Sequence, residues 1–463
     1  MFLKLALKQF FDFDEFRPGQ EDVIKSVLSK KDTLGVLPTG TGKSLCYQLA
    51  GYLVEGLVLV VSPLIALMED QVSSLQAAGE KRCIALTSQV TQGDRYAILQ
   101  RLSQYKFLFL SPEMLQNPQV MAALDQVRLA FLVVDEAHCV SQWGIDFRPE
   151  YRLLPDIKKA LGNPVVLALT ATATAAVTED IQKVLLNEAG QVFRHSADRP
   201  NIAYFVETPA DKIAWVRNYL SQTKESGLIY CATRQEVEDL YQELSGSFAC
   251  GYYHGGLASD QRRLLQQQFL QGQLQVLIAT NAFGMGINKP DLSFVIHYDL
   301  PDSPENYLQE SGRAGRDGQA AQAILLYQPG DEHVAQFFQQ KLWEERAGLL
   351  ALLAGKVAQG TPLQEKWQAV MKQTGNESLP VQLAENARSK DQRLQEMLAY
   401  IQTAGCRREF LLQYFDEPLT ELPERCCDFH GASLMAVQKL GEVAPHSPGE
   451  SELTWQEIML KLF

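Results

Sequence analysis

The sequence predicts an α/β protein of two lobes, each a parallel β-sheet wrapped by crossover helices, followed by a helical segment that carries cysteines. Short apolar runs bounded by turn residues recur from residue 33 to about residue 328, with helix-length amphipathic stretches between them. That is the pattern of buried parallel strands joined by crossover helices. Residues of chemical interest fall just after those runs, where open α/β sheets bind ligands. From about residue 331 the texture becomes charged, Gln-rich and helical, leading into Cys406, Cys426 and Cys427.

The first lobe, residues 1–205, contains the runs Leu57 to Val61, Phe107 to Leu110, Phe131 to Val134 and Val165 to Leu169. The second, residues 206–330, contains Gly227 to Tyr230, Val276 to Ala279, Phe294 to His297 and Ala323 to Tyr327. The segment around Arg199-Pro-Asn-Ile-Ala203 divides the two series. Residues 331–432 read as a helical hairpin, broken at Gly360-Thr-Pro and Thr374-Gly-Asn-Glu, that leads into the cysteine segment. In residues 433–463, Ser447-Pro-Gly-Glu-Ser reads as a linker and Leu453 to Phe463, with Trp455, as a short amphipathic helix.

A chain of 463 residues suggests roughly three domains at about 150 residues each, and 46% hydrophobic residues support packed cores. The formal charge of -13 argues against a tight passive binder of polyanions. It weighs less against a motor, which must release its track each cycle and needs only a local basic groove. Cys46, Cys83, Cys139, Cys231 and Cys250 are scattered like reduced core thiols, which fits a cytoplasmic protein. The amino terminus lacks the layout of a signal peptide, and no run approaches the ~20 apolar residues of a membrane span.

Pro38-Thr39-Gly40-Thr41-Gly42-Lys43-Ser44 follows a short predicted strand and precedes a helical stretch. Its glycines let backbone N–H groups close on phosphate oxygens, Lys43 reaches the β- and γ-phosphates of ATP, and Ser44 can ligate Mg²⁺. The usual first glycine of such a loop is Leu37 here. Asp135 and Glu136 emerge from an apolar run, Asp135 as a direct or indirect partner of Mg²⁺ and Glu136 as the base that orients the attacking water. Upstream, Gln20 offers donors and acceptors to an adenine edge, while Phe13 and Arg17 can stack on its faces. In the second lobe Arg313 and Arg316, three apart and spaced by small residues, are expected on one helical face, suited to reach phosphate across a cleft.

The Asp135-Glu-Ala-His138 stretch is followed at once by a segment holding Trp143, Phe147 and Arg148. Rings and a cation beside a metal site suit a flat, anionic partner, and single-stranded nucleic acid is the obvious candidate. Stacking on such rings contributes ~1–3 kcal/mol per base without reading sequence. Loops around Ser62-Pro63, His254-Gly-Gly256 and Thr280-Asn281 are placed to grip sugar-phosphate.

In order along residues 10–330, these stretches resemble the RecQ helicases of superfamily 2. The match runs through Phe16-Arg-Pro-Gly-Gln20, the Lys43 loop, Val61-Ser-Pro-Leu-Ile-Ala-Leu67, Asp135-Glu-Ala-His138 with its aromatic loop, and Leu169-Thr-Ala-Thr-Ala173. It continues through Ala279-Thr-Asn-Ala-Phe-Gly-Met-Gly-Ile-Asn-Lys-Pro290 and the Arg313/Arg316 motif. The resemblance implies two RecA-like lobes and a zinc-binding segment reaching about residue 430. It implies an ATP-dependent DNA helicase, acting in repair or recombination, that moves 3′→5′ on single-stranded DNA and opens tailed or forked duplexes. Phe13, Arg17 and Gln20 would hold adenine, and Thr39 to Ser44 the phosphates and metal. Asp135 and Glu136 would support hydrolysis, and Arg316, helped by Arg313, would be the arginine finger. Trp143, Phe147 and Arg148 would sense DNA, and Thr170 and Thr172 would couple the lobes. A monomer, working beside repair or replication proteins, is expected.

The chain departs from the family pattern in three places. Ile145 replaces a histidine of the aromatic loop, which implies weaker stimulation of ATP hydrolysis by DNA. At the zinc site Cys406, Cys427 and His430 fit, His430 replacing a cysteine. The remaining family position falls on Glu424, while Cys426, the better zinc ligand, sits out of register. The stretch after His430 is short for the winged helix common in the family. That leaves a second reading open, a DNA-stimulated translocase that separates duplex poorly. A third, a nucleotide-gated clamp without turnover, is disfavoured by the intact Lys43, Glu136 and Arg316 set.

Overall fold

A computed structural model describes residues 2–141, 148–283, 289–375 and 377–434. In the first lobe the strands are β1 (Thr33–Val36), β2 (Leu57–Val61), β3 (Cys83–Leu86), β4 (Phe107–Leu110), β5 (Leu129–Val134), β6 (Val166–Thr170) and β7 (Gln191–Arg194). They form one sheet in the order β3-β4-β2-β5-β6-β1-β7, every pair parallel. β8 (Ile202–Glu207), β9 (Gly227–Tyr230), β10 (Cys250–Tyr253), β11 (Val276–Ala279), β12 (Phe294–His297) and β13 (Ala321–Leu326) build the second, ordered β10-β11-β9-β12-β13-β8 and again parallel. The two-lobe α/β expectation is borne out.

Central strands such as β2 and β4 are buried along their whole length, because helices cover both faces of each sheet. Several crossover helices start where the sequence supplies caps. Thr233 accepts from the Glu236 N–H and Glu236 answers the Thr233 N–H, opening Arg234–Ser245. Thr174 and Asp211 cap Ala175–Leu185 and Lys212–Ser221 by accepting one N–H each.

After β13 come three helices, Glu332–Leu353, Pro362–Thr374 and Leu379–Gln402, where the sequence suggested a hairpin. Leu379–Gln402 sinks Leu394, Met397 and Tyr400 into the core of the second lobe, and Arg393 meets Glu305 there at 3.2 Å. Pro362–Thr374 reaches the other lobe, where Lys366 lies 2.9 Å from Glu113 and 2.8 Å from the buried Glu150. A last helix, Arg407–Tyr414, packs against β8. The predicted terminal helix with Trp455 lies outside the described residues.

One expectation is corrected. Arg313 and Arg316 are not on a helix face: the helix Pro304–Ser311 ends before them, and they sit in a turn. Gly315 adopts φ +57°, where an added Cβ would lie 2.4 Å from Asn201 Nδ2 and 2.8 Å from Gln319 O. The helix cannot continue through a residue held that way.

β9 runs at the centre of the second sheet, and the Phe294 ring of β12 covers Gly227, so that a Cβ there would fall 2.1 Å from Phe294 Cε2. Gly227→Ala should therefore destabilise the lobe by about 1–3 kcal/mol through overpacking. The check is the urea midpoint, with Phe294→Leu in the same chain expected to restore part of the loss.

Candidate active site

The phosphate loop leaves β1 at Leu37 and turns at Gly40 (φ 88°) and Gly42 (φ 77°) into the helix Lys43–Tyr52. No side chain caps that helix, so its first N–H groups are left for an anion. Lys43 Nζ rests 3.4 Å from Leu37 O. Burial pulls the Lys43 pKa down, while Glu136 and Asp135 pull it back up. The loop thus holds a poorly solvated cation facing two carboxylates, an arrangement that a triphosphate and Mg²⁺ fit.

Asp135 follows β5, donating its N–H to Val61 O at 2.9 Å, and its Oδ1 accepts the Glu136 N–H at 3.0 Å. Burial, then the neighbouring Glu136, push its pKa up to about 7 against the pull of Lys43. Glu136 takes a left-handed φ of 47°, and its side chain is buried. Its Oε2 is buried without a hydrogen-bond partner among the described residues, 3.3 Å from His138 Nδ1. A carboxylate oxygen left this way can accept a proton from water. His138 Nδ1 also lies 3.0 Å from Thr170 Oγ1, which donates to Thr172 O at 3.1 Å. A polar chain therefore runs from the acidic turn to the end of β6.

Across the cleft, the turn bearing Arg313 and Arg316 presses on the phosphate loop. A Cβ at Gly312 would lie 3.1 Å from Thr39 Cβ, and one at Gly40 would lie 3.2 Å from Arg316 Cγ. Burial first, then Arg313, lower the Arg316 pKa to about 9. Arg17 donates to Gly40 O and, at 3.5 Å, to Arg316 O, so it bridges the lobes. Gln20 is buried, donating to Thr41 O (2.7 Å) and Gly42 O (3.2 Å) while its Oε1 accepts the Arg17 N–H. Phe13 stands exposed. Arg17 and Gln20 thus brace the phosphate loop itself, in addition to bordering the place expected for adenine.

The residues expected to grip DNA divide. Ser62, Pro63, His254 and Thr280 have buried side chains, whereas Asn281 is exposed. His254 Nδ1 accepts the Gly256 N–H, and Nε2 lies 2.9 Å from Glu238. Trp143, Ile145 and Phe147 lie outside the described residues. Arg148 closes that segment: its N–H donates to Cys139 O at 3.0 Å and its guanidinium to Pro63 O at 3.0 Å.

Sequence reasoning used Arg199 and Asn201 only to mark a boundary. Arg199 donates to Thr39 O, Gly312 O, Ala314 O and Gly315 O, and Asn201 to Gly315 O and Gln319 O. Bonds to backbone carbonyls leave no residue-type pattern, so only their place between the two strand series pointed to them.

Cys406, Cys426, Cys427 and His430 gather with their ligand atoms all within 4.8 Å of one another. Sγ atoms of Cys406 lie 3.6 Å from Cys426 and 3.9 Å from Cys427, and Cys427 Sγ lies 3.4 Å from His430 Nδ1. Tetrahedral zinc with Zn–S of about 2.3 Å has S···S edges of about 3.8 Å, so the cluster fits the ion. Glu424 is exposed and outside the group. The cluster is fastened to β8, with Tyr204 donating to Cys426 O at 3.2 Å and Val206 to Asp428 Oδ2 at 3.1 Å.

A phosphate loop and an arginine turn on facing parallel-sheet lobes, with an acid pair between them, define an ATP-hydrolysing motor of the superfamily 2 helicase class. Family models agree: DEAD/DEAH box helicase over residues 17–181, helicase conserved C-terminal domain over 211–318, and RecQ zinc-binding over 365–430. The chain is 42% identical to the probable ATP-dependent DNA helicase RecS of Bacillus subtilis (strain 168), over 100% of this chain and 98% of that protein. It is 35% identical to the ATP-dependent DNA helicase RecQ of the same strain, over 91% of this chain and 65% of that one. Among solved structures, Mycobacterium smegmatis helicase Lhr bound to ssDNA and AMP-PNP aligns with TM-score 0.60 at 20% identity, over 85% of this chain and 57% of that chain. The DUF1998 helicase MrfA bound to DNA aligns with TM-score 0.59 at 20% identity, over 72% and 49%. Those two share the fold. The chain belongs to the RecQ family of DNA helicases, which use ATP and Mg²⁺ and carry Zn²⁺.

Asp135 supplies a pH test. Its folded pKa stands above the ordinary value of 3.8, so the unfolded chain ionises it more readily and its ionisation opposes folding. The cost is absent below about pH 4, grows between about 4 and 7 and is complete above about 7. Asp135→Asn should raise the melting temperature of metal- and nucleotide-free protein at about pH 8, with the gain shrinking toward about pH 5. A gain that is flat with pH would trace to something other than this ionisation.

Proposed function

We propose that the chain translocates 3′→5′ on single-stranded DNA and unwinds tailed or forked duplexes in DNA repair or recombination. Its parts are a first RecA-like lobe (1–205), a second (206–330), a helical zinc segment (331–432) and a short C-terminal stretch (433–463). Lys43, with the N–H groups from Thr39 to Ser44, binds and orients the phosphates. Phe13, Arg17 and Gln20 border the base. Ser44 and Asp135 hold Mg²⁺, which when bound supplies the Lewis acidity that neutralises the leaving phosphate oxygens. Glu136 takes the proton of the attacking water, and Arg316 with Arg313 answers charge on the transferred phosphoryl group. ATP bridging the two lobes draws them together, and hydrolysis releases them. Cys406, Cys426, Cys427 and His430 are the zinc ligands. Trp143, Phe147 and Arg148 sense the strand, and the loops at Ser62-Pro63, His254 and Thr280-Asn281 hold its backbone.

The observation that carries this reading is the double attachment of Arg148. One bond fixes the end of the aromatic segment to the turn after Glu136, and the other fixes it to Pro63 in a proposed DNA-gripping loop. A strand that shifts the segment is then felt at the hydrolytic carboxylate. The names of the relatives, both ATP-dependent DNA helicases, support the substrate class.

The test pairs ATP turnover, with and without single-stranded DNA, with unwinding of 3′-tailed and 5′-tailed duplexes. The expected result is stimulated turnover and opening of the 3′-tailed substrate alone. Stimulated turnover with neither duplex opened would make the protein a translocase, and turnover indifferent to DNA would remove the coupling altogether. For the zinc segment, Cys426→Ser should reduce bound zinc well below one ion per chain by elemental analysis, while Glu424→Ala leaves it unchanged.

A further inference from the structure

Arg199 lies in the connection between β7 and β8, where the chain passes from one lobe to the other. Its guanidinium donates to four backbone carbonyls. Nη1 reaches Thr39 O at 2.9 Å in the phosphate loop and Gly312 O at 3.0 Å, and Nη2 reaches Ala314 O at 3.2 Å and Gly315 O at 2.7 Å. The last three carbonyls flank Arg313 and precede Arg316. A Cβ on Gly40 would come within 2.8 Å of Arg199 Nη1, so the phosphate loop is glycine where this side chain is seated. Asn201 fills the same role against Gly315.

The other side of the connection is held as firmly. Arg408, fully buried and two residues past Cys406, donates to Asp198 Oδ1, to Arg199 O at 3.0 Å and to Ile202 O. Arg199 therefore hangs from a backbone that the zinc segment fixes. Its planar fork suits several acceptors in set directions, which a lysine cannot match.

We infer that Arg199 is a positioning residue for ATP hydrolysis: it sets the Arg313–Arg316 turn against the phosphate loop by joining their backbones, without touching phosphate itself. This rests on the reading of Arg316 as the residue that meets the transferred phosphoryl group. Displacing such a group by about 1 Å costs on the order of 10²-fold in rate.

The experiment uses the full zinc-loaded chain with saturating single-stranded DNA. Arg199→Ala should lower kcat on the order of 10²-fold with KM for ATP little changed, because the interaction is realised in the transition state. It should also lose the preference for ADP–aluminium fluoride over ADP while still binding ADP, which separates misplacement from unfolding. Arg199→Lys, which keeps the charge and most of the bulk, should not restore turnover. In an Arg316→Ala background, Arg199→Ala should lower turnover no further, since both changes remove the same contribution. Near-normal kcat in Arg199→Ala, full rescue by lysine, a rise in KM alone, or losses that multiply in the double variant would each overturn the inference. Unimpaired turnover in Arg316→Ala alone would instead remove the reading beneath it, and the inference with it.

Discussion

The nucleotide site depends on two backbones meeting across a cleft at glycines. Gly40 on one side and Gly312 on the other keep the gap narrow: a Cβ on Gly40 would lie 2.8 Å from Arg199 Nη1 and 3.2 Å from Arg316 Cγ, and one on Gly312 would lie 3.1 Å from Thr39 Cβ. Only under that condition can one guanidinium touch carbonyls of both lobes, and only then can Arg316 approach the place a triphosphate would occupy. Hydrogen bonds to carbonyls fix position with little dependence on pH or salt. The charged side chains can then be spent on the phosphates themselves.

The charged centre is costly without its ligands. Lys43, Asp135 and Arg316 are all pushed toward their neutral forms by burial, the arginine least consequentially because a pKa of about 9 leaves it charged at neutral pH. Two carboxylates beside one lysine, and two arginines beside each other, are mutually unfavourable pairs that a divalent cation and a polyanion would relieve together. A metal–triphosphate complex answers both like-charge pairs at once, whereas either component alone answers only one. The acidic turn is joined to the end of β6 through His138 and Thr170.

Much of this was legible in the sequence, for physical reasons that differ by element. Leu57 to Val61, Phe107 to Leu110 and Phe294 to His297 stood out because central parallel strands are buried on both faces and so read as unbroken apolar runs. β3 and β7 lie at the two edges of the first sheet: β7, Gln-Val-Phe-Arg, is mixed and partly exposed throughout, and β3, though apolar, is only four residues long with a half-exposed middle, so neither stood out. Lys43, Asp135 and Glu136 were readable because phosphate and metal chemistry admits few residue types. Small residues around Arg313 and Arg316 suggested a helix, yet the left-handed Gly315 decides that segment, and a φ value is not written in periodicity. Cys426 against Glu424 was a question of register; in the fold the Cys426 thiol joins Cys406, Cys427 and His430, while Glu424 is exposed outside the group. Arg199 was invisible as a functional group because its acceptors are carbonyls, which every residue possesses.

The zinc cluster acquires a structural logic from its neighbours. Cys406 opens the helix Arg407–Tyr414, whose second residue, Arg408, is buried against the interlobe connection, while Arg407 pairs with Asp428 between two further ligands. The four clustered side chains come from two separated stretches and bring the start of that helix together with the turn at residues 426–430, which bridges to β8. A hydrophobic core alone would hold such a small segment loosely. A metal ion instead defines the relative placement of its pieces to within bond lengths. The buried guanidinium of Arg408 meets three acceptors, Asp198 Oδ1, Arg199 O and Ile202 O, all on the interlobe connection and the start of β8. What the ion stabilises is therefore less the segment itself than the path of the chain between the lobes. That path carries Arg199, whose side chain holds the arginine turn against the phosphate loop.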